Sequence, residues 1–192
     1  MVETALLDGP RPARTPDPTQ VGMVVWLASE LMFFSGLFAA WFTLRGEADI
    51  WPPPGVELET ARTAAATVVL VASSFTVHLA LLAAKRDHRA AAVRWLFVTV
   101  FMGAVFIANQ AFEYAEAPFS IDSHAYGSIF YVMTGFHGLH VIGGLVFLSI
   151  VAGVIGGRSR APAGHVVDMA TYYWHFVDVV WVAMFTVVYL IQ

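Results

Sequence analysis

The stretch SIFYVMTGFHGLHVIGGLVFLSIVAGVI, residues 128–155, contains no Asp, Glu, Lys or Arg. A helix needs about 20 such residues to cross the hydrocarbon core of a bilayer, so this one is long enough to cross it with a tilt. Four further apolar stretches qualify, at residues 21–44, 63–84, 93–114 and 170–191. The chain is therefore predicted to be all-α: a polytopic membrane helical bundle with five transmembrane helices.

The composition of the whole chain agrees with a membrane location. Of its 192 residues, 58% are hydrophobic and only 12% are charged, whereas a soluble domain carries roughly a quarter charged residues. The absence of cysteine excludes disulfides and thiolate metal sites, and the net charge of −4 argues against nucleic acid as a partner. Residues 1–20 are polar and hold four prolines, so they are interpreted as a cytoplasmic N-terminal arm before a transmembrane domain at 21–192.

Basic residues predict the orientation of the helices, because Lys and Arg concentrate in loops on the cytoplasmic side. One set of connections carries most of them: Arg11, Arg14, Lys85, Arg86, Arg89, Arg94, Arg158 and Arg160. The connections on the other side are mainly acidic and hold Glu47, Asp49, Glu57, Glu59, Glu116 and Asp122, beside Arg45 and Arg62. The amino terminus is therefore predicted inside and the carboxyl terminus outside.

Glu30 lies near the middle of the first predicted helix. A charge at that depth costs at least about 2.5–3.5 kcal/mol on insertion scales, so a carboxyl group there is expected to have a structural or functional role. One interpretation is a protonated acid that hydrogen-bonds to a neighbouring helix. The other is a carboxylate that handles protons or regulates a nearby proton path. The sequence leaves both open.

Six more ionisable residues lie in the predicted helices: His78, Glu113, His137, His140, His175 and Asp178. His137 and His140 are three residues apart, as are His175 and Asp178, so each pair is predicted to share one face of its helix. In membrane bundles such side chains usually form hydrogen bonds between helices. We predict this interhelical role for all six.

A metal site is the alternative for part of this set. Two histidines and an acid suit iron or zinc, which keeps open a membrane metalloenzyme that uses Glu113, His137 and His140. The pattern lacks the Glu-x-x-His pairs of a di-iron bundle, because Glu116 stands where a histidine would follow Glu113. No metal ligand and no catalytic residue is therefore assigned.

Small residues in the fourth helix predict close packing against other helices. Gly135, Gly138, Gly143 and Gly144 have no side chain, so a neighbouring backbone can approach them closely. A charged substitution at Gly138 is expected to force such a contact apart and to block assembly.

Several segments match, in order, the pattern of one known family. They are SELMFFSG at 29–36, WPP at 51–53, SSFTVH at 73–78, QAFEY at 110–114, TGFHGLHV at 134–141 and YWHFVDVVW at 173–181. Together they resemble the motifs of subunit III of the haem-copper cytochrome oxidases, over about residues 22–190. Glu30 then corresponds to the membrane-buried carboxylate of that family.

The resemblance implies a function. It implies an accessory subunit III of a proton-pumping, aa3-type cytochrome c oxidase in the aerobic respiratory chain. Such a subunit packs on the catalytic subunit I and supports proton uptake, stability and turnover lifetime, without a catalytic residue or redox centre of its own. Haem a and copper are expected in partner subunits, and no cofactor other than bound phospholipid is expected here. The implied partners are oxidase subunits I and II, membrane lipids and, in a respiratory supercomplex, a cytochrome bc complex.

The chain departs from the family pattern in its number of helices. Many members have seven, whereas only five are predicted here and the first two have no counterpart. Five-helix versions occur among bacterial oxidases, which implies a multi-pass protein of a bacterial plasma membrane. The missing pair helps to form a lipid-filled cleft, so lipid binding carries over less directly. Two related alternatives stay open, namely subunit III of a quinol oxidase and an accessory protein of a nitric oxide reductase.

Overall fold

The computed structural model describes residues 17–157 and 162–191. Within them all regular structure is helical, and five helices are long and apolar enough to cross a membrane, as predicted. They are α1 (Pro18–Glu47), α2 (Thr60–Lys85), α3 (Arg89–Glu116), α4 (Ala125–Gly156) and α5 (Ala163–Phe185), and α5 continues into a π-helical turn, Thr186–Leu190. Most of the predicted arm lies outside the described residues, together with Arg11, Arg14, Arg158 and Arg160.

The helix ends differ from the predicted ranges, most of all at the start of α5. This helix begins at Ala163 rather than at residue 170, because its polar first turns lie at the end of the bundle, where Asp168 pairs with Lys85 at 3.4 Å. The first helix also begins earlier than predicted. Asp17 caps it by accepting a hydrogen bond from the Thr19 N–H at 2.9 Å, with proline in the first helical position. Residues 18–20 therefore belong to α1 and not to the arm.

Four of the helices form a closed ring. The main contacts run from α2 to α3, from α3 to α4, from α4 to α5 and from α5 back to α2. Helix α1 lies outside this ring against α4 and α5, and it buries only Phe34 and Trp41. Helix α5 contributes much of the core, including Trp174 and Trp181, which are both fully buried. The ring therefore surrounds aromatic side chains of α5, and α1 is a peripheral element.

The two ends of the bundle carry different charges. One end, named here the basic end, joins the α2–α3 turn to the starts of α1 and α5 through the Lys85–Asp168 pair and a His165–Asp17 pair at 3.3 Å. At the opposite end Arg62 pairs with Glu116. The α3–α4 loop at that end contains Asp122, whose pKa is lowered because it accepts a hydrogen bond from the Ser120 hydroxyl at 2.5 Å.

Candidate functional site

Glu30 is paired with a histidine on another helix. Its Oε2 lies 3.1 Å from Nε2 of His140 on α4, and the two side chains are only 23% and 17% exposed. The rings of Phe33 and Phe34 lie against the imidazole, with ring centres 6.4 and 5.0 Å away. The acid that looks isolated in the sequence is therefore hydrogen-bonded between α1 and α4, in a largely aromatic environment.

The second nitrogen of His140 determines where protons sit in this pair. Nδ1 lies 2.7 Å from the backbone oxygen of Phe136, and because a carbonyl only accepts hydrogen bonds, Nδ1 must carry a hydrogen. The hydrogen bond between Nε2 and Glu30 then contains one further proton. Either the Glu30 carboxyl donates it to a neutral imidazole, or a protonated imidazole donates it to the carboxylate. The Glu30–His140 pair can thus hold one proton in either of two forms.

His137 points away from this pair, although it is only three residues from His140. Two side chains at this spacing stand about 60° apart around a helix, and here that rotation is enough to give them different neighbours. His137 is 1% exposed; its ring stacks on Trp181 at 4.9 Å and meets the edge of Phe106 at 6.0 Å. Neither ring nitrogen has a hydrogen-bond partner among the described residues. The two histidines share a side of α4 but have different neighbours. Among the described residues His137 joins helices by ring packing, so the hydrogen-bonding role predicted for it is not fulfilled there.

Glu113 lies in a separate network at the end of the bundle opposite the basic end. It is 3% exposed and accepts hydrogen bonds from the Tyr189 hydroxyl at 2.8 Å, from Thr63 at 3.3 Å and from Gln110 at 3.3 Å. These donors come from three elements, namely the π-helical turn, α2 and α3. Sequence reasoning missed Tyr189 as a partner of Glu113. Tyr189 lies in the π-helical turn Thr186–Leu190, and the sequence does not predict that turn.

A third polar group joins α2 to α5. The Ser74 hydroxyl donates to Asp178 and lies 2.9 Å from Nδ1 of His175, so one serine bridges both members of that predicted pair. One residue earlier on each helix, the Trp174 indole N–H donates to the Ser73 hydroxyl at 2.8 Å. The two serines therefore supply hydrogen bonds between α2 and α5.

His78 completes the predicted set, and it lies on the surface. It is exposed on α2, one turn from Ser74 toward the basic end. Among residues 17–157 and 162–191 it forms no hydrogen bond and no ion pair. The interhelical role predicted for it is therefore not fulfilled within this part of the chain.

The geometry also bears on the metalloenzyme alternative. His137, His140 and Glu113 face three different surroundings: an aromatic stack, a carboxylate on α1 and a network at the end of the bundle. In the described part of the chain, no group of three or more His, Asp or Glu side chains is arranged to hold a metal ion. These three residues therefore do not form the joint site that this alternative requires.

The glycines of α4 divide into two kinds. A Cβ on Gly144 would lie 2.9 Å from the Trp174 ring, and one on Gly143 would lie 3.4 Å from the Tyr173 hydroxyl, so both adjoin α5. A Cβ on Gly138 would meet no atom of the described part of the chain within 4 Å. The prediction that Gly138 packs against a neighbouring helix is wrong for the described chain.

Gly138 is open because it lines a groove. Gly135, where a Cβ would meet only the Tyr114 hydroxyl at 3.7 Å, lines the same groove of about 170 Å³ between α3 and α4. Sequence reasoning missed Gly103 on α3, where a Cβ would approach Leu145 and Trp174 to 2.7 Å. Helical spacing alone does not tell which glycine of an apolar helix meets an indole.

Substitution of Gly144 by valine is expected to destabilise the bundle by about 1–3 kcal/mol, as overpacking of a tight core does. The added methyl groups would overlap the buried ring of Trp174. Gly153→Val is the matched control, because Gly153 lies on the same helix and no described residue comes within 4 Å of a Cβ there. Thermal unfolding of the two variants in detergent measures the difference. Equal losses of stability at the two positions would contradict the packing explanation.

These features define the class: a multi-pass, all-helical membrane protein whose ionisable groups occupy several separate hydrogen-bonded sites between helices. Comparison with known proteins narrows the class. A family model described as cytochrome c oxidase subunit III matches residues 1–192. The chain therefore belongs to the cytochrome c oxidase subunit III family.

Individual relatives are similar over nearly their whole length. The probable cytochrome c oxidase subunit 3 of Mycobacterium tuberculosis is 44% identical over 194 residues, covering 98% of this chain and 96% of the relative. The probable subunit 3 of Nocardia farcinica is 43% identical, with 92% and 90% covered. Subunit 3 of Thermostichus vulcanus is 42% identical, with 92% and 89% covered.

Proposed function

We propose that this chain is the accessory subunit III of a proton-pumping, aa3-type cytochrome c oxidase of the aerobic respiratory chain. In this proposal it packs on the catalytic subunit I, with subunit II and membrane lipids as further partners. Haem a and copper belong to the partner subunits, and this chain supplies no catalytic residue. Its location is a bacterial plasma membrane, with the amino terminus in the cytoplasm, and a supercomplex with a cytochrome bc complex is the wider assembly.

The match of the subunit III family model to residues 1–192 carries the proposal. The polar sites support its structural part, since each joins helices: Glu30 to His140, Glu113 to Tyr189 and Ser74 to Asp178. A subunit that stabilises the structure of a neighbouring catalytic subunit needs such fixed contacts between its own helices.

The Glu30–His140 pair supports the part that concerns protons. It can hold one proton between a carboxyl and an imidazole, and both side chains remain partly exposed. We propose that it influences the supply of protons to the catalytic subunit. In this role the pair takes no part in electron transfer.

Purification through an affinity tag on this chain tests the assignment. We expect it to co-purify with oxidase subunits I and II in a complex that absorbs visible light and reduces dioxygen. The chain purified alone is expected to be colourless. Mass spectrometry of both preparations identifies the subunits, and metal analysis and visible spectra detect bound redox centres. Stoichiometric haem, iron or copper on the isolated chain would overturn the proposal.

The same preparation separates the related oxidases. Oxygen consumption with reduced cytochrome c, and not with quinol alone, is expected for the proposed enzyme. Turnover only with quinol as the electron donor would assign the chain to a quinol oxidase. Reduction of nitric oxide alone, without reduction of dioxygen, would assign it to a nitric oxide reductase.

A further inference from the structure

The groove of about 170 Å³ between α3 and α4 has mostly apolar walls, formed by Ile107, Ala111, Gly135, Gly138, Leu139 and Ile142. Along α4 it extends from Thr134 to Ile142, and these eight residues span about 12 Å at 1.5 Å per residue. The hydrocarbon core is about 30 Å thick. On α3 the groove reaches Tyr114, two residues before the end of the helix. It therefore runs along the half of the span that lies away from the basic end.

Two hydroxyl groups lie at the end of the groove near the end of α3. Thr134 donates its only hydroxyl hydrogen to the Phe130 carbonyl at 2.6 Å. The Tyr114 hydroxyl lies 2.7 Å from the Thr134 hydroxyl oxygen, so Tyr114 must be the donor of that bond. A Cβ on Gly135 would lie 3.7 Å from the Tyr114 oxygen, so this oxygen adjoins the groove. Both hydroxyl hydrogens are therefore used within the chain, and the Tyr114 oxygen can still accept one.

Gln110 brings a second acceptor to the lining, one turn before Tyr114 on α3. The side chain is 5% exposed, and its amide nitrogen donates to Glu113 at 3.3 Å. The amide oxygen has no hydrogen-bond partner among the described residues. A buried oxygen without a donor is costly, so each such group calls for an explanation. The groove thus combines apolar walls with two oxygens that can accept a hydrogen bond.

This combination selects among the molecules of a membrane. The acyl chains of phospholipids carry no donor, and their ester oxygens only accept hydrogen bonds. A transmembrane helix is about 10 Å wide and is too large for a space of about 170 Å³. An apolar molecule with one hydroxyl group meets both requirements, because its body covers the apolar walls and its hydroxyl supplies the donor.

We infer that the α3–α4 groove binds a membrane alcohol, which is an apolar, lipid-soluble molecule whose polar head is a hydroxyl group. The hydroxyl donates to the Tyr114 oxygen, and the Gln110 amide oxygen is the second acceptor at that end. The apolar body lies along Gly135 and Gly138 toward Ile142. Helices α3 and α4 of this chain form the site, so the inference goes beyond the proposed function and does not depend on it.

Photolabelling of the full chain, purified from the membrane with its native partners, tests the site. The probe is a photoreactive long-chain alcohol, and the matched probe is its methyl ether, which has the same body but cannot donate a hydrogen bond. We expect the alcohol to label residues of the groove, identified by mass spectrometry, roughly two- to tenfold more than the ether, as one hydrogen bond allows. Equal labelling by the two probes, or labelling of the groove by neither, would overturn the inference. Equal or stronger labelling by a photoreactive phosphatidylcholine would also overturn it.

Three variants locate the binding in the groove. Gly138→Leu places a side chain where a Cβ meets no described atom within 4 Å, so it should abolish labelling by the alcohol. Gly153→Leu, at an equally open position of α4, should label like the unmodified chain. Tyr114→Phe keeps the ring but removes the acceptor, so alcohol labelling should fall to the level of the ether, and ether labelling should not change. Alcohol labelling that survives Gly138→Leu, or an equal fall of both probes in Tyr114→Phe, would contradict the site.

Discussion

Trp174→Ala is expected to destabilise the bundle by about 3–5 kcal/mol, the usual cost of removing a large buried aromatic side chain. The indole is fully buried at the centre of the helix ring. It fills the space that Gly103 and Gly144 leave on α3 and α4, so its removal opens a cavity that touches both helices. Its N–H also donates to Ser73 on α2. One side chain thus contacts the three other helices of the ring.

The contributions of packing and hydrogen bonding at Trp174 can be separated. Trp174→Phe keeps an aromatic ring between the helices but leaves Ser73 without its donor, so we expect a smaller loss than for alanine. Trp26→Ala is the control, since that residue is 44% exposed and stacks on Tyr173 at the surface of α1. Thermal unfolding in detergent compares the three variants. An unfolding midpoint of Trp174→Ala no lower than that of Trp26→Ala would refute the central role of the indole.

The five helices could be predicted because their signal is local. A long apolar run has few alternatives to a membrane helix, whichever residues surround it in space. The ends of the helices were less predictable, because an apolar run marks the membrane-spanning part of a helix and not its continuation beyond it. Helix α5 begins at Ala163, directly after Pro162, and its Asp168 pairs with Lys85 at the end of α2.

The partners of the polar residues illustrate the same limit. Spacing suggested that His137 and His140 act together, whereas the structure pairs His140 with Glu30, which is 110 residues away in the sequence. A helix sequence tells which side chains lie near one another on its surface, but not which helix will face them. The resemblance to a family identified the sequence motifs that contain these residues. It did not show that Gly138 contacts no neighbouring helix among the described residues, or that the side chain of His78 is exposed.

Glu30→Gln is expected to leave assembly largely intact and to change proton uptake or the rate of inactivation during turnover severalfold. The glutamine amide can still donate a hydrogen bond to a neutral His140, so the contact between α1 and α4 is kept. The variant cannot exchange a proton with the imidazole, because an amide does not titrate near neutral pH. A purely structural role would therefore survive this substitution, whereas a role in holding protons would not.

The measurement compares the number of protons pumped per electron and the number of turnovers before inactivation, each as a function of pH. His140→Gln should resemble Glu30→Gln, because either change removes one half of the pair. Ser35→Ala is a control on the same helix, since among the described residues that hydroxyl bonds only to the backbone oxygen of Leu31, one turn earlier. If pumping, lifetime and their pH profiles in both pair variants matched those of Ser35→Ala, Glu30 would serve only to connect α1 to α4. The proton between the two side chains would then contribute neither to proton pumping nor to the lifetime of the oxidase during turnover.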